Sequence, residues 1–153
     1  MRLDDAARPE AVGPRSYARG MSAADLAVVQ ASSAALSRQD VDGMLACYAP
    51  DAVVVDRSGM GLGEMHGHDE LRPYYLGIMH SAETMTETFK VLADDDGVLV
   101  TDCELSATLA ADPSGNGITA QYGLVITVRD GLIRRLEIHP DGAAALAAAR
   151  GTA

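Results

Sequence analysis

The fold is decided by residues 40–54, which read DVDGMLACYAPDAVV. Asp40 is a residue type that caps helices, and the short helix that it begins carries apolar side chains on one side, at Met44, Leu45 and Tyr48. Pro50 ends this helix, because a proline disfavours helical backbone in the residue before it. The β-branched residues that follow predict a short strand over residues 52–56. The stretch therefore predicts a helix that leads directly into a strand.

Toward the N-terminus, the sequence predicts one longer helix preceded by a tail. Ser22, with Asp25 three residues later, is a helix-capping pair, and apolar residues recur after it at helical spacing. Residues 1–20 mix arginines with acidic residues and contain no apolar segment, so we expect a flexible tail and no signal peptide. We accordingly divide the chain into this tail, a domain at residues 21–141 and an alanine-rich tail at residues 142–153.

Toward the C-terminus, the pattern changes from helix to strand. Residues 58–67 contain four glycines and predict a loop, after which Asp69 caps a third helix. From Thr84 the apolar period becomes two, which predicts strands over residues 84–92, 98–109, 118–128 and 132–139, the last two joined by an Asp130-Gly131 turn. The order α-α-β-α-β-β-β-β predicts an α+β fold whose antiparallel sheet carries the helices on one face.

The composition is that of a soluble globular domain. The 153 residues have a mass of 16.0 kDa, and 48% of them are hydrophobic and 22% charged. The net charge is −10 and Lys90 is the only lysine, so we expect no binding to nucleic acid or to anionic membranes. No apolar run approaches the ~20 residues of a membrane span. Cys47 and Cys103 fall inside apolar patterns, which predicts two buried thiols and a cytoplasmic protein.

Three segments resemble the SnoaL-like branch of the nuclear transport factor 2-like superfamily. They are residues 40–54, the helix entry HGHDELRPYY at residues 66–75, and the closing segment DGLIRRL at residues 130–136. The resemblance extends over residues 22–141. It implies a cone, in which a curved antiparallel or mixed sheet wraps three helices around an apolar pocket. Family members include polyketide cyclases, ketosteroid isomerases, limonene epoxide hydrolases and proteins that bind without catalysing. Most are dimers through the convex face of the sheet, so we expect a homodimer.

Asp56 is the first candidate catalytic residue. It ends a strand whose other inward positions, Ala52 and Val54, are small and apolar, and poor solvation there would raise the pKa of its carboxyl. A turn aspartate at the end of a strand is the alternative that the sequence leaves open. The resemblance to the ketosteroid isomerases implies that Asp56 is the general base.

Asp102 and Glu104 are the second candidates. They share one face of a predicted strand and lie ~6.6 Å apart along it. Periodicity alone sends this face to solvent, because Leu99, Cys103 and Leu105 occupy the other one. The resemblance to the epoxide hydrolases implies instead that both carboxylates point inward, although the charged set of those hydrolases is incomplete in this chain. Two close carboxylates in a pocket resist ionising together, which would supply an acid and a base.

Two residues complete the predicted catalytic set. Tyr122 shares a strand face with apolar residues, and its hydroxyl would hold a substrate oxygen; a core tyrosine is the alternative. His66 lies in the glycine-rich loop expected at the pocket mouth, where a solvated loop histidine is the alternative. His66 and His68 lack the three or four fixed ligands of a metal site, so we predict neither a metal nor another cofactor. The predicted substrate-binding residues are Val54, Tyr48, Tyr75, Met79, Leu124, Ile126, Leu136 and Ile138.

The sequence thus favours a cofactor-free acid–base enzyme that cyclises or isomerises a small, largely apolar, polyketide-like substrate. Scarce lysine with abundant alanine, glycine, arginine and aspartate indicates GC-rich coding, which suits a setting in secondary metabolism. A non-catalytic small-molecule-binding or dimerisation module of the same fold is one alternative. An epoxide-hydrolase-like enzyme with an altered carboxylate set is the other.

Overall fold

The structure, a computed structural model, describes residues 21–151, so the tail predicted at residues 1–20 lies outside the described residues. The elements follow in the order α1 (Ala23–Ser37), α2 (Val41–Leu45), β1 (Tyr48–Asp56), β2 (Glu64–His66), α3 (Gly67–Ser81), β3 (Ala82–Asp95), β4 (Val98–Leu109), β5 (Gly117–Arg129), β6 (Leu132–His139) and α4 (Gly142–Ala149). The α+β class predicted from the sequence is confirmed.

One mixed sheet organises the domain. Its six strands lie in the order β2-β1-β6-β5-β4-β3, and it does not close into a barrel. β1 and β6 run parallel, with Val54 opposite Leu136, whereas all other neighbouring strands run antiparallel. The predicted Asp130-Gly131 turn joins β5 to β6, and both residues adopt the left-handed backbone that such a hairpin requires, with φ of 57° and 75°.

The starts of α1 and α2 follow the predicted caps, whereas α3 begins at Gly67 with His66 at its N-cap position, so the predicted cap at Asp69 is wrong. The Ser22 side chain accepts a hydrogen bond from the backbone N–H of Asp25 at 3.0 Å, and the Asp40 side chain accepts one from Gly43 at 2.9 Å. Between α1 and α2, Gln39 takes a left-handed conformation with φ of 58°. Its Nε2 donates to the carbonyl oxygens of Met79 and Ala82, both at 2.8 Å, which fixes the α1–α2 turn against the end of α3.

Several elements differ from the sequence-based prediction, and β3, for example, spans Ala82–Asp95 instead of residues 84–92. β1 begins at Tyr48 instead of residue 52, and the exposed Pro50 is accommodated where the β1–β6 register shifts. The short strand β2 forms inside the predicted loop, because Glu64–His66 pairs with the end of β1. The alanine-rich segment at residues 142–149, expected as a tail that frays or forms a turn of helix, is the helix α4.

α4 is held by a cap and by close packing. Asp141 accepts a hydrogen bond from the backbone N–H of Ala144 at 2.8 Å. A Cβ placed on Gly123 in β5 would lie 2.2 Å from the carbonyl oxygen of Asp141, and one on Gly142 would lie 2.8 Å from Cβ of Asp102. Only glycine permits these approaches, so α4 rests directly on β4 and β5.

The two faces of β4 have opposite surroundings. Leu99, Thr101 and Cys103 are buried on the face that meets α1–α3, which we call the inner face. Asp102 and Glu104 belong to the opposite, outer face, where Asp102 lies beneath α4 and the exposed Glu104 accepts a hydrogen bond from Gln121 at 2.7 Å. The expectation that Asp102 and Glu104 point inward is therefore wrong, because β4 alternates as its periodicity indicates.

The core lies between the inner face and α1–α3. Its fully buried members include Leu45, Val54, Leu71 and Leu99. Among residues 21–151, no helix combines the length and the apolar character needed to cross a bilayer.

Candidate active site

An apolar cavity of about 640 Å³ lies within this core. Helices α1–α3 form one side of it, and the inner-face side chains of β3–β6 form the other. Seven residues predicted from the sequence line it, namely Tyr48, Tyr75, Tyr122, Leu124, Ile126, Leu136 and Ile138. Of the predicted substrate-binding residues, Val54 and Met79 do not line it; both are buried in the surrounding core, and their assignment to the pocket wall is corrected.

The carboxylate inside the cavity is Glu87 of β3, which the sequence-based prediction missed. Its side chain lines the cavity and accepts hydrogen bonds from the hydroxyls of Tyr122 and Ser33. Burial raises the pKa of the Glu87 carboxyl, and these two hydrogen bonds offset part of the rise. The sequence contains an indication of this inward orientation. Met85, Glu87 and Phe89 share one face of the strand, and the two apolar neighbours indicate that Glu87 points inward.

Tyr122 reaches Glu87 from β5, on the opposite side of β4. Burial raises the pKa of the Tyr122 phenol, and the nearby Glu87 charge raises it further. The phenol therefore keeps its proton and donates it in the hydrogen bond to Glu87. The pairing of β4 with β5 brings Cys103 opposite Tyr122. Burial raises the pKa of the Cys103 thiol to about 12, so Cys103 is an unreactive thiol.

A second group of hydroxyls lies where β1 meets α1 and α3 at the cavity. The hydroxyl oxygens of Tyr48 and Tyr75 are 3.1 Å apart, and Ser32 of α1 also bonds the Tyr48 hydroxyl. Burial raises the pKa of both phenols, and the Glu87 charge adds to the rise. The rings of Tyr74 and Tyr75 pack at 4.9 Å between centroids. Among the described residues, the cavity wall thus combines one carboxyl with neutral hydroxyl donors.

The fold and the cavity agree with a family comparison. The family described as "SnoaL-like domain" matches residues 29–136. The chain belongs to the SnoaL-like domain family. The resemblance seen in the sequence is thereby confirmed. A comparison with curated proteins gives no match.

Solved structures with this fold include enzymes. TerC, co-crystallised with polyporic acid, is 23% identical, with 80% of this chain and 95% of TerC aligned at a TM-score of 0.65. A protein assigned as a polyketide cyclase from Xanthomonas campestris pv. campestris is 22% identical over 80% of this chain and 96% of its own, with a TM-score of 0.62. The Δ5-3-ketosteroid isomerase from Mycobacterium sp. is 21% identical over 79% and 95%, with a TM-score of 0.65. At these identities the likeness establishes the fold alone.

Asp56 of this SnoaL-like domain lies at the rim of the cavity and not in its wall. Its carboxylate accepts hydrogen bonds from the backbone N–H groups of Ser58 at 2.8 Å and Leu62 at 2.9 Å, and from the Ser58 hydroxyl. These bonds hold its pKa below the usual range of an aspartate. The expectation that an apolar environment raises the pKa of Asp56 is wrong, because loop amides surround the carboxylate instead.

The two histidines of the predicted loop lie at the end of β2 and in the first turn of α3. His66 is exposed outside the cavity wall; its Nε2 lies 3.1 Å from Glu64, and its backbone N–H donates to Glu70 at 2.7 Å. The predicted place of His66 at the catalytic site is therefore corrected. His68 Nε2 lies 3.0 Å from the carbonyl oxygen of Tyr48. Across residues 21–151, no group of three His, Cys, Asp or Glu side chains converges in the way a metal ion requires.

Proposed function

We propose that this SnoaL-like domain is an acid–base enzyme that isomerises or cyclises a small, neutral, largely apolar substrate, with Glu87 as the group that moves the proton. The observation that carries the proposal is the Glu87 carboxyl, set in the wall of an apolar cavity with a raised pKa. A carboxylate in such surroundings is a stronger base than one in water, and general acid–base catalysis contributes ~10²–10⁴-fold to a rate.

The chemistry needs only the substrate and this side chain. Ionised Glu87 takes a proton from a C–H bond next to a carbonyl, and the electron pair of that bond passes into an enolate. In an isomerisation the protonated Glu87 returns the proton to another carbon. In a ring closure the enolate carbon attacks a second carbonyl of the same molecule, and the new alkoxide takes the proton. Electrons and protons balance in both cases.

Neutral hydroxyls would stabilise the enolate oxygen. Tyr48 and Tyr75 keep their protons, since burial raises both phenolic pKa values. Buried donors of this kind, fixed before the reaction, stabilise charge that develops in the transition state. The described residues that line the cavity include neither arginine nor lysine, so neither of these two cations would offset the charge of an anionic substrate. These features support a neutral carbonyl compound.

A binding protein without catalytic activity is the second candidate. One observation favours it: Tyr122 and Ser33 already donate hydrogen bonds to the Glu87 carboxylate. A buried carboxylate with a purely structural role would have such partners too. The epoxide-hydrolase alternative required a pair of carboxylates inside the cavity. Because Asp102 and Glu104 lie on the outer face, we do not propose it.

Deuterium exchange separates the two candidates. The probe is 2-tetralone, a neutral bicyclic ketone with an acidic C–H bond, incubated with the protein in heavy water and followed by proton NMR. The enzyme is expected to accelerate exchange above the buffer rate, and the neutral apolar dye N-phenyl-1-naphthylamine is expected to inhibit it by competing for the cavity. A protein that binds both compounds without accelerating exchange would support the binding module.

A further inference from the structure

The loop at the cavity mouth has an alternating sequence. Residues 58–63 read SGMGLG, and the three glycines adopt left-handed backbone with φ of 91°, 82° and 70°. A Cβ on any of them would meet no atom within 4 Å, so glycine is needed for the conformation and not for space. Every residue of the loop that bears a side chain, Ser58, Met60 and Leu62, lines the cavity.

Met60 and Leu62 are apolar but poorly buried. Met60 is 64% exposed and Leu62 is 38% exposed, although both lie at the mouth of an apolar cavity. Exposing two large apolar side chains gains nothing for the fold. A ligand that extends from the cavity to its mouth would cover both side chains, and the hydrophobic effect would then favour the complex.

Asp56 fixes the loop from beneath. Its carboxylate accepts from the backbone N–H groups of Ser58, Gly61 and Leu62 and from the Ser58 hydroxyl, and its own N–H donates to the carbonyl oxygen of Gly63 at 2.9 Å. The Asp56 side chain thus bonds the start and the middle of the loop, and the Asp56 backbone N–H bonds its last residue, Gly63. A loop rich in glycine has many other conformations, and these bonds select one of them.

We propose that residues 58–63 are an apolar cover over the cavity mouth, that Met60 and Leu62 bind the outer part of the ligand, and that Asp56 is the positioning residue of this cover. The proposal rests on the proposed function in one respect, that the cavity binds an apolar ligand. Asp56 keeps its charge throughout and moves no proton. Ligands long enough to reach Met60 are retained longer than ligands confined to the inner cavity.

The chain contains a matched control for Asp56. Asp112 accepts from the backbone N–H of Ser114 at 2.9 Å and from its hydroxyl at 2.6 Å, which repeats the Asp-x-Ser-Gly turn of residues 56–59. This second turn joins β4 to β5 and does not line the cavity. Removing the Asp112 side chain therefore tests what the loss of such a turn does by itself.

The experiment measures release of N-phenyl-1-naphthylamine by stopped-flow fluorescence. In the Asp56→Ala variant and in the Met60→Ser variant we expect the dissociation rate to rise about tenfold, which corresponds to a modest loss of contact energy. Asp56→Asn, which retains one acceptor oxygen, should give an intermediate rate. Asp112→Ala should match the wild type. Met60→Ser changes an exposed residue, so it tests the cover even where Asp56→Ala fails to fold.

The outcomes distinguish this proposal from the proposed function. Equal dissociation rates for the wild type, Asp56→Ala and Met60→Ser, with the dye bound, would overturn the cover and leave the acid–base role of Glu87 standing. If Asp112→Ala released the dye as fast as Asp56→Ala, the cover would also be overturned. Loss of any turn of this type would then explain the faster release. Failure of the wild type to bind the dye would overturn the cover, whereas the acid–base role of Glu87 is decided by the exchange experiment.

Discussion

The hydroxyl of Tyr122 on β5 donates a hydrogen bond to the carboxylate of Glu87 on β3, across the intervening strand β4. The two side chains lie on the inner face of the sheet, and the bond they share lies inside the apolar cavity. The phenol stabilises the ionised carboxylate, whereas burial destabilises it. The balance between these two effects sets the pH at which Glu87 acquires its charge.

The pH dependence of exchange should follow this balance. Glu87 acts as a base only when ionised, so the rate of deuterium exchange into 2-tetralone should rise as the pH increases through its raised pKa. Tyr122→Phe removes a hydrogen bond that lowers this pKa, so the rising limb should move to higher pH. The measurement is the exchange rate across a pH series for both proteins. An unmoved limb would contradict the assignment of the titrating group.

Glu87→Gln should stabilise the fold at neutral and higher pH. The folded chain raises the pKa of Glu87 and therefore holds its proton to higher pH than the unfolded chain does. Ionisation of Glu87 thus costs the wild type stability as the pH rises, and glutamine has no such cost. The Tm advantage of the variant should grow as the pH rises from the ordinary pKa of a glutamate through the raised pKa of Glu87, by about 2–4 °C for each kcal/mol of unfolding free energy. An advantage that shrinks over this range would have the wrong sign.

Two glycine-to-alanine substitutions should have opposite effects on stability, because only Gly123 packs against the start of α4. In Gly123→Ala the added Cβ would lie 2.2 Å from the carbonyl oxygen of Asp141, so α4 must shift and the free energy of unfolding should fall by about 1–3 kcal/mol. Gly77 in α3 is exposed and has open space at its Cβ. Gly77→Ala should therefore stabilise the protein by about 0.5–1 kcal/mol. Urea denaturation of both variants gives the comparison, and equal effects would argue against the packing of α4.

We propose that the chain is a homodimer through the outer face of the sheet. α4 covers that face at β4 and β5, whereas Arg135 and Glu137 of β6 are left partly exposed as a pair, 3.1 Å apart. Light scattering at micromolar concentration should give about 32 kDa, twice the 16.0 kDa of one chain. A mass of one chain would contradict it.

Local signals in the sequence predicted much of the fold. Ser22 and Asp40 cap helices through their own side chains, and the Asp130-Gly131 turn adopts the backbone that its residue types favour. Strand boundaries at Val98–Leu109 and Leu132–His139 agree with the sequence because clear turn residues flank them. These features depend on a few neighbouring residues, which is why a single sequence is sufficient for them.

The candidate site could not be predicted in this way, because it depends on contacts between residues that are far apart in the sequence. Glu87, Tyr122 and Ser33 meet from three different elements, and only the folded sheet brings them together. The alternation of β4 had indicated the outer face for Asp102 and Glu104, and the family resemblance was a worse guide than that alternation. Asp56 was misjudged because its pKa depends on amides of residues 58–62, whose backbone conformation glycine leaves open in the sequence.

The central claim is that Glu87 moves a proton inside the cavity. The most direct test is the rate of deuterium exchange into 2-tetralone for Glu87→Gln beside Glu104→Gln. Both changes remove one negative charge at nearly constant size, but Glu104 lies on the outer face, where it bonds only Gln121 among the described contacts. We predict that Glu87→Gln loses about 10² or more of the catalysed rate and that Glu104→Gln retains the wild-type rate. Wild-type exchange by a folded Glu87→Gln variant would contradict the claim.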